Sequence, residues 1–155
     1  MNNIMLDSID IKLLNALQQD ARLTNRELAE ILNLSTTPVY ERIKKLEKKG
    51  IIKSYVALLD ASKVDKNLVA ITQVKLDIHS KKLIEAFNKK IKTFDEVMEC
   101  YHTSGDADFI LKIMVSDLED YYRFIMEKLT QTTDVAHINT SFVLNEIKYT
   151  TAIQL

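Results

Sequence analysis

Between Thr36 and Lys53 the chain carries Arg42, Lys44, Lys45, Lys48, Lys49 and Lys53 against only Glu41 and Glu47, although its overall formal charge is −1. Such a local run of cations can neutralise the phosphates of a polyanion and release their counterions, giving affinity that ignores sequence. It is also what an ordinary solvated helix face looks like. Its surroundings favour the first reading. Ser35, Thr36, Thr37, Tyr40 and Glu41 open the run, and their donors and acceptors suit base edges or the nearest phosphates. Among the cations, Arg42 has the planar fork that can bond a guanine at two points, whereas Lys44 and Lys45 suit phosphate contacts.

A second constellation lies far along the chain, in Thr103-Ser104-Gly105-Asp106-Ala107-Asp108. It reads as a turn between strands, with Gly105 at a bend and the aspartates tolerating it. It also offers what a small zwitterion needs: free N–H groups for a carboxylate and carboxylates for an ammonium. Spacing alone leaves both readings open. Thr140 and Ser141 are weaker candidates for the same pocket. Cys100-x-His102 is two potential metal ligands without a distant partner cluster, so the expectation is packing and no bound metal.

The elements that position these residues differ in period. Ile9, Leu13, Leu14 and Leu17 recur at helical spacing, with Asp7 and Asp10 at the positive end of the helix dipole. Thr24-Asn25-Arg26-Glu27 has the form of a capping box, with Leu28, Ala29, Ile31 and Leu32 as the apolar face behind it. Asn33-Leu34 breaks that pattern, and Ser35 is placed to cap a third helix with Pro38 in its first turn. Val39, Ile43 and Leu46 form its buried stripe, and Gly50 suits the left-handed position past its end. Three short helices, the last two joined tightly, are the geometry that sets a recognition helix into the DNA major groove.

After Gly50 the residues from Ile51 to Leu59 read as extended chain, and the polar stretch Asp60 to Asn67 as a linker. Strands are expected at 68–76, 96–103, 109–115 and 135–148, with helices at 80–92 and 117–130. The helical stripes are Leu83, Ile84, Phe87 and Ile91, then Leu118, Tyr121, Tyr122, Ile125 and Leu129. The order βαββαβ builds an antiparallel sheet with helices on one face. The fold class is therefore α+β, with a DNA-binding domain at 1–60, a linker at 61–67 and a second domain at 68–155. Phe109, Leu111, Ile113 and Val115 share one strand face while Ile110 and Met114 lie on the other. Helices on one side cannot cover both, so the second face is expected to pack against another copy of the chain.

Composition narrows the classes. The chain is 46% hydrophobic and 28% charged, ordinary for a folded domain, and its one cysteine allows no internal disulfide. No run approaches the roughly 20 apolar residues of a membrane span, and MNNIMLDSID shows no signal-peptide pattern, so a cytoplasmic location is expected. No nucleophile elbow, glycine-rich phosphate loop or zinc motif is present, and the expectation is a non-enzyme without a cofactor.

Taken in order, Leu6-Asp7-x-x-Asp10, Leu17-Gln18-x-Asp20-x-Arg22, Glu27-Leu28-Ala29, Leu34-Ser35-x-x-Pro38, Arg42, Leu46-Glu47, Gly50-Ile51-Ile52, Tyr55 and Gly105-Asp106-x-Asp108 resemble the Lrp/AsnC (leucine-responsive/asparagine-responsive) family of transcriptional regulators. The resemblance covers essentially the whole chain. It implies a winged helix-turn-helix, a ferredoxin-like sheet module called the RAM domain, and dimers that assemble further, often to octamers. It also makes Thr103, Ser104, Gly105, Asp106 and Asp108, with Thr140 and Ser141, the expected site of an amino-acid effector between dimers. Glu41 departs from the basic or neutral residue many relatives carry. Two other functions fit a chain of this kind. One is a sirohaem-pathway decarboxylase, which calls for basic and histidine residues in the second half. The other is an architectural protein that wraps DNA with little sequence preference.

Overall fold

The computed structural model describes residues 5–78, 80–132 and 135–155. The chain divides into two compact units, residues 1–58 with 148–155, and residues 59–147.

In the first unit, α1 (Ser8–Gln19), α2 (Asn25–Leu32) and α3 (Thr36–Lys48) enclose Leu13, Leu14, Leu28, Ala29, Val39, Ile43 and Leu46. Each helix start has a local cause. Asp7 caps α1 by accepting from the N–H groups of Ile9 and Asp10, and the Asp10 carboxylate accepts from the Asp7 N–H, which completes a capping box. Thr24 and Glu27 form the expected box at α2. Asn33 then takes the left-handed conformation, φ 54°, so that only Asn33, Leu34 and Ser35 separate α2 from α3. At the far end of α3, Gly50 sits at φ +69° and the Ile51 N–H bonds the Leu46 carbonyl at 3.0 Å, a Schellman-type close.

Residues 53–60 form neither helix nor strand, so the segment expected to be extended has no ladder within this chain. The expected linker is structured: Asp60 caps a 3₁₀ turn, Ala61–Val64, and Asp65 closes it at φ 56°. Residues 148–155 pack with the first unit. There the Gln18 carboxamide donates to the Ile153 carbonyl at 3.0 Å and accepts from its N–H at 2.6 Å, standing in for a neighbouring strand.

The second unit has the expected βαββαβ order: β1 (Leu68–Leu76), α4 (Lys81–Ile91), β2 (Val97–His102), β3 (Phe109–Val115), α5 (Leu118–Arg123) and β4 (Val135–Phe142). The sheet runs β2-β3-β1-β4, every neighbouring pair antiparallel. Phe109, Leu111, Ile113 and Val115 alternate inward and pack with Phe87, Ile91, Phe94, Phe124 and Leu129, while Ile110, Lys112 and Met114 stay half-buried on the other face.

The second helical stripe differs from the expected one. Beyond Arg123 the helix continues as a π-helix, Phe124–Leu129, whose wider turn brings Phe124 inward. Leu118 and Tyr122 remain outside, 61% and 64% exposed. Strand β4 also ends at Phe142, earlier than the expected 148.

Candidate nucleic-acid interface and effector loop

At the N-terminal end of α3 the side chains Ser35, Thr36, Thr37, Tyr40 and Glu41 are all exposed. Ser35 occupies the N-cap position with extended backbone, φ −80° and ψ 163°, yet its side chain makes no cap bond. The expected role of that hydroxyl as a cap is therefore corrected: tight closure from Asn33 fixes the helix start, and the hydroxyl is left facing outward. Orphan N–H groups at the start of a helix and a row of unspent hydroxyls make a surface that accepts phosphate oxygens or base acceptors.

The cations separate into two groups. Lys45, Lys48, Lys49 and Lys53 are exposed and enter none of the ion pairs among the described residues. Lys44 is held at 2.9 Å by Glu47, which also accepts from the Tyr55 hydroxyl at 3.2 Å, and its ammonium lies 5.8 Å from the centre of the Tyr40 ring. That pairing lowers the Glu47 carboxyl from its ordinary value, Lys44 being the main cause.

Arg42, expected to read a base, is placed differently. Its Nη1 lies 2.6 Å from an Asp7 oxygen and 2.7 Å from an Asp10 oxygen, and its side chain is only 26% exposed. It points back onto the start of α1 because two carboxylates of the same capping box converge there. The Asp10 backbone N–H, and then Arg42, hold the Asp7 carboxyl below its usual range. In this structure Arg42 ties α3 to α1. The signal for this partnership in the sequence is Asp7-x-x-Asp10, which reads there as favourable to the helix dipole and as part of the family resemblance.

The loop from Thr103 to Asp108 bends at Gly105, φ +150°, and is closed by the Thr103 N–H on the Asp108 carbonyl at 2.9 Å and the Thr103 hydroxyl on the Ala107 carbonyl at 2.8 Å. Asp108 is committed to the sheet: its N–H bonds the Val74 carbonyl and its carboxylate accepts from the Leu76 N–H at 2.8 Å. Leu76 lies just past Val74–Phe109, the last β1–β3 pair, so its N–H meets no β3 residue across the ladder and a side chain satisfies it. Ser104, Gly105 and Asp106 are exposed.

Thr140 and Ser141, expected together, face opposite sides of the sheet. Thr140 pairs across from buried Thr72, and its hydroxyl joins those of Thr72 (3.1 Å) and Tyr121 in a closed ring on the helix-covered face. Ser141 lies opposite Ile71 on the open face. Strand alternation makes it impossible for both to line one cavity on one face. Cys100 is half-buried opposite Leu111, and burial pushes its thiol up. His102 stacks on Phe109 with ring centres 4.9 Å apart. A bulge between Val97 and Glu99 shifts the register there, and Met98 is 56% exposed.

Comparison with known proteins places this geometry in context. Residues 6–53 match the family model described as winged helix-turn-helix DNA-binding, and residues 69–153 match that of the Lrp/AsnC ligand binding domain. The chain is 37% identical to the leucine-responsive regulatory protein of Haemophilus influenzae over 99% of its own length and 92% of that protein. Among solved structures, it is similar to a transcriptional regulator from Neisseria meningitidis in complex with L-Met, with a TM-score of 0.91, 36% identity and 96% of each chain covered. An AsnC family transcriptional regulator from Agrobacterium tumefaciens gives the same TM-score at 34% identity, again with 96% of each chain covered.

Proposed function

The chain belongs to the Lrp/AsnC family of transcriptional regulators, and on that premise we propose that it reads duplex DNA with the exposed start of α3 and answers to a small amino acid held at the loop 103–108. The observation that carries the DNA half is the row Ser35, Thr36, Thr37, Tyr40 and Glu41, exposed together, with Ser35 making no cap bond. Lys45, Lys48, Lys49 and Lys53 supply phosphate contacts around it, with Lys44 restrained by Glu47. Arg42 acts through α1 and not on the bases.

The effector half is supported by the Neisseria relative, which was crystallised with L-Met. In this chain Ser104, Gly105 and Asp106, with Ser141 on the open sheet face, offer the exposed polar groups for such a ligand. Thr103, Asp108 and Thr140 hold the surrounding backbone and helix. The open face, carrying half-buried Ile71, Ile110 and Met114 with the Lys112–Glu99 pair, is the surface on which two copies dimerise, and dimers assemble further towards octamers. The protein works in the cytoplasm without catalysis, metal or cofactor. No helix among the described residues is long and apolar enough to cross a membrane. The amino acid shifts assembly by no more than its difference in affinity for the two states.

The test uses the full chain. A randomised duplex pool is enriched on the protein, and binding and light scattering are then followed across the twenty amino acids. One or a few of these are expected to change oligomer size and footprint. Asp106→Ala should remove that response while leaving the thermal midpoint and half-site binding unchanged. If no amino acid changes stability, size or footprint, the effector reading is wrong and the loop is only a turn.

A further inference from the structure

We infer that the capping box of α1 is a receptor for Arg42, and that Asp7 and Asp10 are positioning residues which set the face that α3 presents to DNA. The division of oxygens carries the argument. In Asp7, Oδ1 takes the cap bonds from the Ile9 and Asp10 N–H groups at 2.9 and 2.7 Å, leaving Oδ2 for Arg42. In Asp10, Oδ2 takes the Asp7 N–H at 3.3 Å, leaving Oδ1 for Arg42. Each carboxylate spends one oxygen on starting α1 and the other on α3. The Asp10 side chain is only 7% exposed, and a buried carboxylate is tolerated where a cation and hydrogen bonds meet it.

The consequence for DNA follows from helix geometry. At 3.6 residues per turn, Thr37, Tyr40, Glu41 and Lys44 lie about 100–160° around α3 from Arg42. Fixing Arg42 against α1 therefore turns the opposite face outward. It also withholds from phosphates the one arginine on the recognition helix, leaving the phosphate grip to lysines.

This inference rests on α3 being the recognition helix, and the experiment keeps the two apart. A duplex enriched from a randomised pool by the unmutated protein is compared with a random duplex across a salt series. If the unmutated protein enriches nothing, the DNA reading itself fails. Asp7→Asn keeps a good capping oxygen but removes the charge, so the head is expected to stay folded. Both Asp7→Asn and Arg42→Gln should lower the enriched-to-random affinity ratio by roughly tenfold, with the salt slope unchanged. If Arg42 were instead a DNA contact held in reserve, Asp7→Asn would release it. Random-duplex affinity would then rise, and Arg42→Gln would flatten the salt slope by about one unit. Either of those results overturns the inference. So does a loss of thermal stability in both variants with the affinity ratio unchanged, which would leave the pair a structural brace only.

Discussion

The start of α3 and the sheet of the second unit use their polar side chains in opposite ways. At the start of α3 a row of hydroxyls and a phenol faces outward, with the Ser35 side chain making no cap bond. In the second unit Thr103, Asp108, Thr72, Tyr121 and Thr140 are bound to one another or to backbone. Unspent polar groups on a rigid helix are what a partner can read, since their bonds to water are exchanged for bonds to the ligand. Spent ones fix geometry. On the function proposed above, DNA recognition falls to the outward row on α3, and Ser104, Gly105, Asp106 and Ser141 are left as the proposed effector contacts.

The contrast is broken most directly at Asp108. If its carboxylate is a sheet pin, Asp108→Ala should destabilise the second unit by about 1.5–3 kcal/mol, read as a lower midpoint in urea unfolding. An unchanged midpoint with a lost amino-acid response would return Asp108 to the ligand site. Thr140→Val opens the hydroxyl ring while keeping the shape, and should cost about 1 kcal/mol by the same measurement without changing effector binding. On the head, Lys48→Ala should weaken enriched and random duplexes alike and reduce the salt slope by about one unit, with no loss of stability. A drop confined to the enriched duplex would make Lys48 a base reader.

The smallest effect is electrostatic. The Asp7 carboxyl is lowered first by the Asp10 backbone N–H and then by Arg42, and the Glu27 carboxyl first by the Thr24 backbone N–H. A carboxylate with a folded value below its unfolded one stabilises the fold above the ordinary range, near pH 4, and loses that contribution as pH falls through its lowered value. The thermal midpoint should therefore decline on acidification from about pH 5 to pH 3. Asp7→Asn should make that decline shallower. An identical decline in the variant would remove Asp7 from the acid-sensitive groups.

What the sequence disclosed was whatever lies close along the chain. Thr24 and Glu27 are three residues apart and form their box as read. Val39, Ile43 and Leu46 are one helical stripe, and all three are buried. Strand alternation in Phe109 to Val115 separated inward from outward side chains residue by residue. The partnerships that decide site roles span longer separations. Arg42 meets its carboxylates 32 and 35 residues away, and Thr140 meets Thr72 across 68. No periodicity records which side chain answers which across a fold. From sequence, Arg42 therefore reads as a candidate base contact and Thr140 as a weaker candidate for the effector pocket. The π-turn that draws in Phe124 escaped for a related reason, since a 3.6-residue template cannot register a change of pitch.

Gln18 and Ile153 have a consequence for how the chain is made. The polypeptide leaves the head at Leu58 and returns to it at Lys148, so the second unit is an insertion within a discontinuous head. During synthesis α1, α2 and α3 emerge first, yet the segment that Gln18 clasps is translated only after the whole inserted unit. The head is begun first and completed last. A protease cut in the 59–67 stretch would not free it as an intact module, because one of its pieces remains on the far side of the insert.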